Sequence, residues 1–201
     1  MGLFTKIKIS RFTYDYVYGS RKVIKDPNNP FSNHFYGEDL WTDTGKRLEG
    51  LLPKGMVVYA EIIGWTNAYQ PIQKGYTYGL PEGQRQLYVY RITQINPDGY
   101  AVDLSWDQVK EFCNNNGINH VPEIAVTSGW EANLQVSMLL DKNLFTYTQR
   151  GLPVDKGMVD EGVCIRRDGV RPLILKAKSP VFLQHETKLL DKDVVDIEAE
   201  A

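Results

Sequence analysis

Two segments near the end of this chain carry residue types that could do chemistry: Glu161-Gly162-Val163-Cys164-Ile165-Arg166, and then Leu175-Lys176-Ala177-Lys178-Ser179. Side chains on a strand alternate between its faces, so Lys176 and Lys178 point the same way while Ala177 points into the core. Two ammonium groups on one face form a compact clamp for an anion such as a nucleotide phosphate. Glu161, at the start of the preceding strand, offers a hard oxygen ligand of the kind Mg²⁺ prefers. The competing reading of a Lys-x-Lys pair is a solvated strand face.

Three upstream segments fit the same kind of pocket. Val57-Val58-Tyr59-Ala60-Glu61-Ile62-Ile63-Gly64 sets one carboxylate in an apolar run, where a charge is costly unless it is paired, hydrogen-bonded or on a metal. Leu87-Tyr88-Val89-Tyr90-Arg91 puts two phenol rings on one strand face, suited to stacking a nucleobase. Tyr18-Gly19-Ser20-Arg21-Lys22 puts a forked guanidinium after a Gly-Ser bend, suited to phosphate or ribose oxygens. Each has a plainer alternative: a salt-bridged core carboxylate, ordinary sheet aromatics and a basic surface turn.

The elements that must position these residues can be read along the chain. Leu3 to Lys25 alternates apolar and polar residues and predicts an antiparallel strand pair. Asp26 to Pro30 breaks it, and Phe31 to Lys46 is aromatic without periodicity, which predicts a structured loop. Met56 to Ile63 and Leu87 to Ile95 read as strands, the second ending in an Asn96-Pro97-Asp98-Gly99 turn. Ser105 with Gln108 forms a capping box for a helix carrying Trp106, Val109 and Phe112, stopped at Gly117. A second helix is expected from Glu131 to Leu140. Gly162–Arg167 and Leu173–Ala177 are the last strands, turning at Asp168-Gly169. Gly75-Tyr76-Thr77-Tyr78-Gly79 reads as a hairpin excursion whose tyrosines pack. The sum is a strand-dominated α+β domain over residues 1–187, followed by an acidic tail over 188–201.

Composition excludes several classes. The chain has 201 residues, 42% hydrophobic and 24% charged, with a net charge of −2. That is a globular balance, and a nucleic-acid surface would have to be a local basic face. Cys113 and Cys164 lack metal-knuckle spacing and predict reduced thiols in a cytoplasmic setting. His34, His120 and His185 show no ligand spacing. No signal peptide or membrane-length apolar run is present.

Taken in order, the chemical segments resemble the covalent nucleotidyltransferases, specifically ATP-dependent RNA ligases. The motifs that carry the resemblance are Ser20-Arg21-Lys22, Glu61-Ile62-Ile63-Gly64, Tyr88-Val89-Tyr90-Arg91, Glu161 to Arg166 and Lys176-Ala177-Lys178, five in the family's order. The resemblance implies a nucleotidyltransferase (ATP-grasp-like) core, with antiparallel sheets and helices around a nucleotide cleft. It implies ATP, bound as AMP after transfer, with Mg²⁺ or Mn²⁺, and RNA ends or a nicked duplex as substrate. A monomer is expected. By the same resemblance Arg21 contacts the adenylate and the incoming 5′-phosphate. Glu61 binds the ribose or organises metal, Tyr90 stacks the adenine and Glu161 binds metal. Lys176 and Lys178 hold the α-phosphate. Arg91 stands where relatives often carry Asp.

The family's nucleophilic Lys-x-x-Gly is not found ahead of Arg21. Met1-Gly2-Leu3-Phe4 is similar to its back half, so the lysine is expected just before Met1, and a truncated chain, a misplaced start codon, a split gene and a degenerate relative are all open readings. Two rival readings remain open at this point: a non-catalytic nucleotide- or RNA-binding module, and a fragment of an ATP-dependent DNA ligase.

Overall fold

The computed structural model describes residues 2–8, 14–21, 23–25, 37–129, 131–142 and 151–190. Most of the chain's strands form one twisted sheet. In chain order they are β1 (Gly2–Lys8), β2 (Tyr14–Ser20), β3 (Ile24–Lys25), β4 (Met56–Gly64), β5 (Arg85–Ile95), β6 (Ala101–Asp103) and β7 (Asn119–His120). They lie in the order β3-β2-β1-β4-β5-β6, with β7 added to β5 as the parallel partner. Every other pairing is antiparallel. The expected β1–β2 pair is present, with Gly2 opposite Ser20 and Lys8 opposite Tyr14. A mixed α+β architecture therefore holds.

Apolar residues on alternate positions of these strands make the core. Phe4, Tyr18, Val58, Ala60, Ile62, Leu87, Val89 and Ile92 are buried together. Two helices cover that face. Helix α1 (Leu40–Gly45) presents Leu40 and Trp41, and α2 (Trp106–Asn115) presents Val109 and Cys113. Burial pushes the Cys113 thiol up to about 11. The α2 capping box forms as expected, with Ser105 and Gln108 each satisfying the other's backbone N–H. At its far end the Ile118 N–H reaches Cys113 O at 2.9 Å across Gly117, whose φ is +65°. That 6→1 bond is the Schellman stop.

The expectation of a loop over Phe31–Lys46 is corrected where it is described, because α1 occupies Leu40–Gly45. Its start is fixed by Asp39, whose side chain accepts from the Thr42 N–H at 3.1 Å. Six residues are too few to show a helical period in sequence. Residues 26–36, including the expected Asp26–Pro30 breaker and His34, lie outside the described residues, as does Lys22.

Helix α3 (Glu131–Lys142) realises the second expected helix. Among the described residues, strands β8 (Gly162–Arg167) and β9 (Leu173–Lys178) pair only with each other, and α4 (Pro180–Leu190) follows directly. Ser179 explains that last helix. Its hydroxyl accepts from the Phe182 N–H at 3.0 Å, and Pro180 sits at the first helical position, which needs no donor. The helix runs past Lys188, where the acidic tail is expected to begin, and 191–201 lie outside the described residues. No helix among the described residues is long and apolar enough to cross a membrane.

Candidate active site

The face of the sheet turned away from α1 and α2 carries polar and aromatic side chains. On β4, Tyr59 and Glu61 alternate with buried Val58, Ala60 and Ile62. On β5, Tyr88 lies opposite Glu61. The register slips between Tyr59 and Ala60, so Tyr90 is an extra residue with no direct partner on β4. A bulge of this kind re-aims a side chain. Here it sets the Tyr90 ring 6.4 Å from the Tyr59 ring and close enough to Glu61 to feel its charge. Burial first, and then the Glu61 carboxylate, push the Tyr90 phenol well above its ordinary range.

Arg91, which stands in place of the family's Asp, turns to Asp103. Its Nε bonds Oδ1 and its Nη2 donates to Oδ2 at 3.0 Å, and Thr93 Oγ1 donates to Oδ1 at 2.9 Å. The guanidinium also lies 5.0 Å from the centre of the Tyr59 ring. The polar contact at this position is therefore an Arg–carboxylate pair within the sheet.

The β8–β9 hairpin supplies the opposing wall. Glu161 precedes Gly162, which has φ +143°. A Cβ there would lie 2.0 Å from Ala177 O, so only glycine lets the two strands close after the carboxylate. The register puts Cys164 opposite Lys176 and Gly162 opposite Lys178. Lys176 Nζ lies 3.0 Å from Glu161 Oε2. The Cys164 thiol is reachable by solvent yet crowded by protein, as a cleft wall requires. Burial pushes it up, Lys176 pulls it down, and Glu161 and Glu61 push it up again. Tyr90 in turn feels Cys164. Glu61, Tyr90, Glu161 and Lys176 are thus brought together around Cys164, although more than 100 positions separate Glu61 from Lys176 in the chain.

Two expected residues stand differently. Lys178 is held by α4, with Nζ donating to both oxygens of Glu186 at 2.8 and 3.0 Å and lying 5.2 Å from the Phe182 ring centre. Arg21 is exposed just past the end of β2, where Ser20 pairs Gly2 and Gly2 pairs Ala60. It therefore lies at the end of the sheet nearest Glu61. Among the described residues no group of three or more His, Cys, Asp or Glu could hold a metal by itself. His120 Nδ1 lies 2.9 Å from Val121 O.

The cleft wall is braced by contacts between the hairpin and the start of α2. Arg166 Nε donates to Asp168 Oδ1 at 2.6 Å, its Nη2 donates to Leu104 O at 2.6 Å, and the Trp106 N–H donates to Asp168 Oδ2 at 2.8 Å. These bonds lash the hairpin to the start of α2. Tyr76 packs as expected, buried with its hydroxyl donating to Val159 O at 2.8 Å. Thr77 bonds Asp155 through its N–H at 2.6 Å and its hydroxyl at 2.8 Å. The β4–β5 loop and the segment leading to Glu161 therefore form one wall. The sequence carries signals for both placements: a hairpin turning near Asp168-Gly169 puts Cys164 opposite Lys176, and a helix started by Ser179-Pro180 returns the Glu186 carboxylate to Lys178.

A carboxylate–ammonium pair beside a second carboxylate and a half-buried phenol is suited to an anionic ligand with an aromatic part. The family described as RNA ligase matches residues 5–178, a span that contains all six expected site residues. The chain belongs to the RNA ligase family, which implies a ligase. No curated protein matches it.

Proposed function

We propose that this chain is the nucleotidyltransferase core of an ATP-dependent RNA ligase of the cytoplasm, which joins or seals RNA ends by adenylyl transfer. The observation that carries the reading is the Lys176–Glu161 pair at 3.0 Å, facing Glu61 and Tyr90 around Cys164. Adenine stacks on Tyr90, and Lys176 exchanges Glu161 for the α-phosphate, where its charge grows more useful as the phosphorus is attacked. Lys178 leaves Glu186 to reach the same phosphate, and Arg21 takes the 5′-phosphate of the RNA at the sheet end.

The donor set suits Mg²⁺ or Mn²⁺. Glu161, freed from Lys176, and Glu61 offer carboxylate oxygens, and phosphates and water complete such a sphere. An ion bound there supplies charge neutralisation for the polyphosphate.

The nucleophile in this reading is a lysine entering just before Met1. Its amine attacks the α-phosphorus, an N–P bond forms, and the P–O bond to pyrophosphate breaks as pyrophosphate leaves. The β1 register supports that placement, because Gly2 lies between Ala60 and Ser20, next to Glu61 and Arg21.

The test uses labelled ATP with Mg²⁺. The chain as given should bind ATP and form no acid-labile AMP adduct, and an N-terminal extension placing Lys before Met1 should form one. An adduct on Lys6 or Lys8 of the unextended chain would overturn the placement. Sealing of nicked DNA but not RNA by the extended protein would favour a DNA ligase. ATP and RNA binding with no adduct on any extended form would leave a binding module.

A further inference from the structure

Beyond the cleft, where the β4–β5 loop enters β5, an open cavity of about 440 Å³ is lined by Arg47, Asn67, Gly83, Gln84, Arg85 and Gln86. Two guanidinium groups and three carboxamides form this lining, and no acid does. Guanidinium groups fork onto phosphate oxygens, and carboxamides both donate and accept, as base edges require. Arg85 is anchored: Nη1 donates to Asn67 Oδ1 at 3.2 Å, and Glu38 and Asp43 lie 3.6 and 3.7 Å away. Arg47 is exposed and has no ion pair among the described residues.

A second, independent feature stands at the rim. Tyr69 is 63% exposed and has φ +59°, a left-handed backbone that costs a non-glycine residue energy and collects at functional positions. Thr66 holds it there: its carbonyl accepts from the Tyr69 N–H at 3.1 Å, and its hydroxyl accepts from the Gln70 N–H at 3.1 Å. The ring lies against Gly83, where a Cβ would come within 3.0 Å of ring atom Cε1. One hydrogen bond links the cavity lining to the cleft face: the Tyr88 hydroxyl donates to Gln86 Oε1 at 2.8 Å, and Tyr88 pairs with Glu61.

We propose that this cavity and Tyr69 form a subsite for single-stranded RNA, away from the reacting end. Tyr69 stacks a base and Arg47 contacts a backbone phosphate. This rests on the RNA-ligase reading for the choice of polynucleotide.

The test is fluorescence anisotropy with a labelled single-stranded RNA of about a dozen nucleotides, run beside ATP binding. Tyr69→Asn keeps a residue that tolerates the left-handed backbone and should weaken RNA binding about tenfold, whereas Tyr69→Trp should retain it. Arg47→Ala should lower the slope of log affinity against log salt by roughly 0.7 to 1. Both variants should bind ATP as the wild type does, and Lys176→Ala should show the reverse pattern. RNA binding unchanged in Tyr69→Asn and Arg47→Ala, or absent from the wild type, would overturn the subsite. So would a parallel loss of ATP affinity, which would make the cavity a mononucleotide site. Absence of ATP binding with RNA binding still dependent on Tyr69 would instead remove the ligase mechanism and leave the subsite standing.

Discussion

The two faces of the large sheet are built from the same strands and do opposite work. Toward α1 and α2, Val58, Ala60, Ile62, Val89 and Ile92 are all buried and aliphatic. Toward the β8–β9 hairpin, the intervening Tyr59, Glu61, Tyr88 and Tyr90 are half-buried and polar or aromatic. One face is closed by packing, which depends on volume, and the other is left open and held in shape by charges and rings. A single strand therefore packs the core with one set of alternate positions and lines the open face with the other. The slip at Tyr90 occurs at the one place where the open face gains a ring from it.

The sharpest way to break this division is to exchange the two kinds of loss. Lys176→Ala should lower sealing of 5′-adenylylated RNA by about 10²- to 10³-fold, the scale of removing one charge-stabilising donor, with no change in the thermal midpoint. A large drop in the midpoint would show that the open face is structural. Conversely, Ile92→Ala should cost about 2–5 kcal/mol in urea unfolding while ATP affinity at low temperature stays near that of the wild type. Tyr90→Ala should weaken ATP binding by about 1–3 kcal/mol, with Tyr90→Phe close to silent; equal losses from both would assign the effect to the hydroxyl.

A smaller effect sharpens the contrast between the faces. Iodoacetamide should label Cys164 and spare buried Cys113 in the native protein, slowly at neutral pH because both thiols are pushed up, and ATP should protect Cys164. Equal labelling of the two would mean that the core face opens.

The smallest effect concerns acid. The Arg91 hydrogen bond holds Asp103 below its ordinary carboxylate range. A carboxyl depressed in the folded state adds stability that is present above the unfolded value of about 3.9 and is lost as pH falls through the folded one. Asp103→Asn should therefore flatten the acid side of the stability profile, measured by urea midpoints between pH 5 and 2 (about the range over which such a group titrates).

Local signals were legible where the chain repeats a short rule. Alternation marks β1 and β2, and the Ser105–Gln108 pair marks α2. Glycines at 64 and 162 follow carboxylate-bearing segments because Cβ atoms there would meet Gln84 O and Ala177 O at 2.3 and 2.0 Å. Helix α1 was hidden because its burial comes from Phe4 and Tyr18, whose rings would meet a Cβ on Gly45 at 2.5 and 2.4 Å. That environment is long-range and leaves no local period. The same holds for Arg91, whose partner Asp103 arrives only when β6 pairs with β5, and for the Glu186 hold on Lys178. Motif order collected the candidate site residues, while the partners of Arg91 and Lys178 come from elements that carry no motif.

The lashing of the hairpin to α2 has a kinetic consequence. Strands β8 and β9 are joined by a short turn, and such hairpins close in about 1–10 μs. The Arg166–Leu104 and Trp106–Asp168 bonds each span 62 positions. Loop-closure entropy must be met before contacts of that separation contribute, so they form late. The cleft wall then closes late, and a nascent chain holds Lys176 and Lys178 in register on β9 before there is any cleft for them to face.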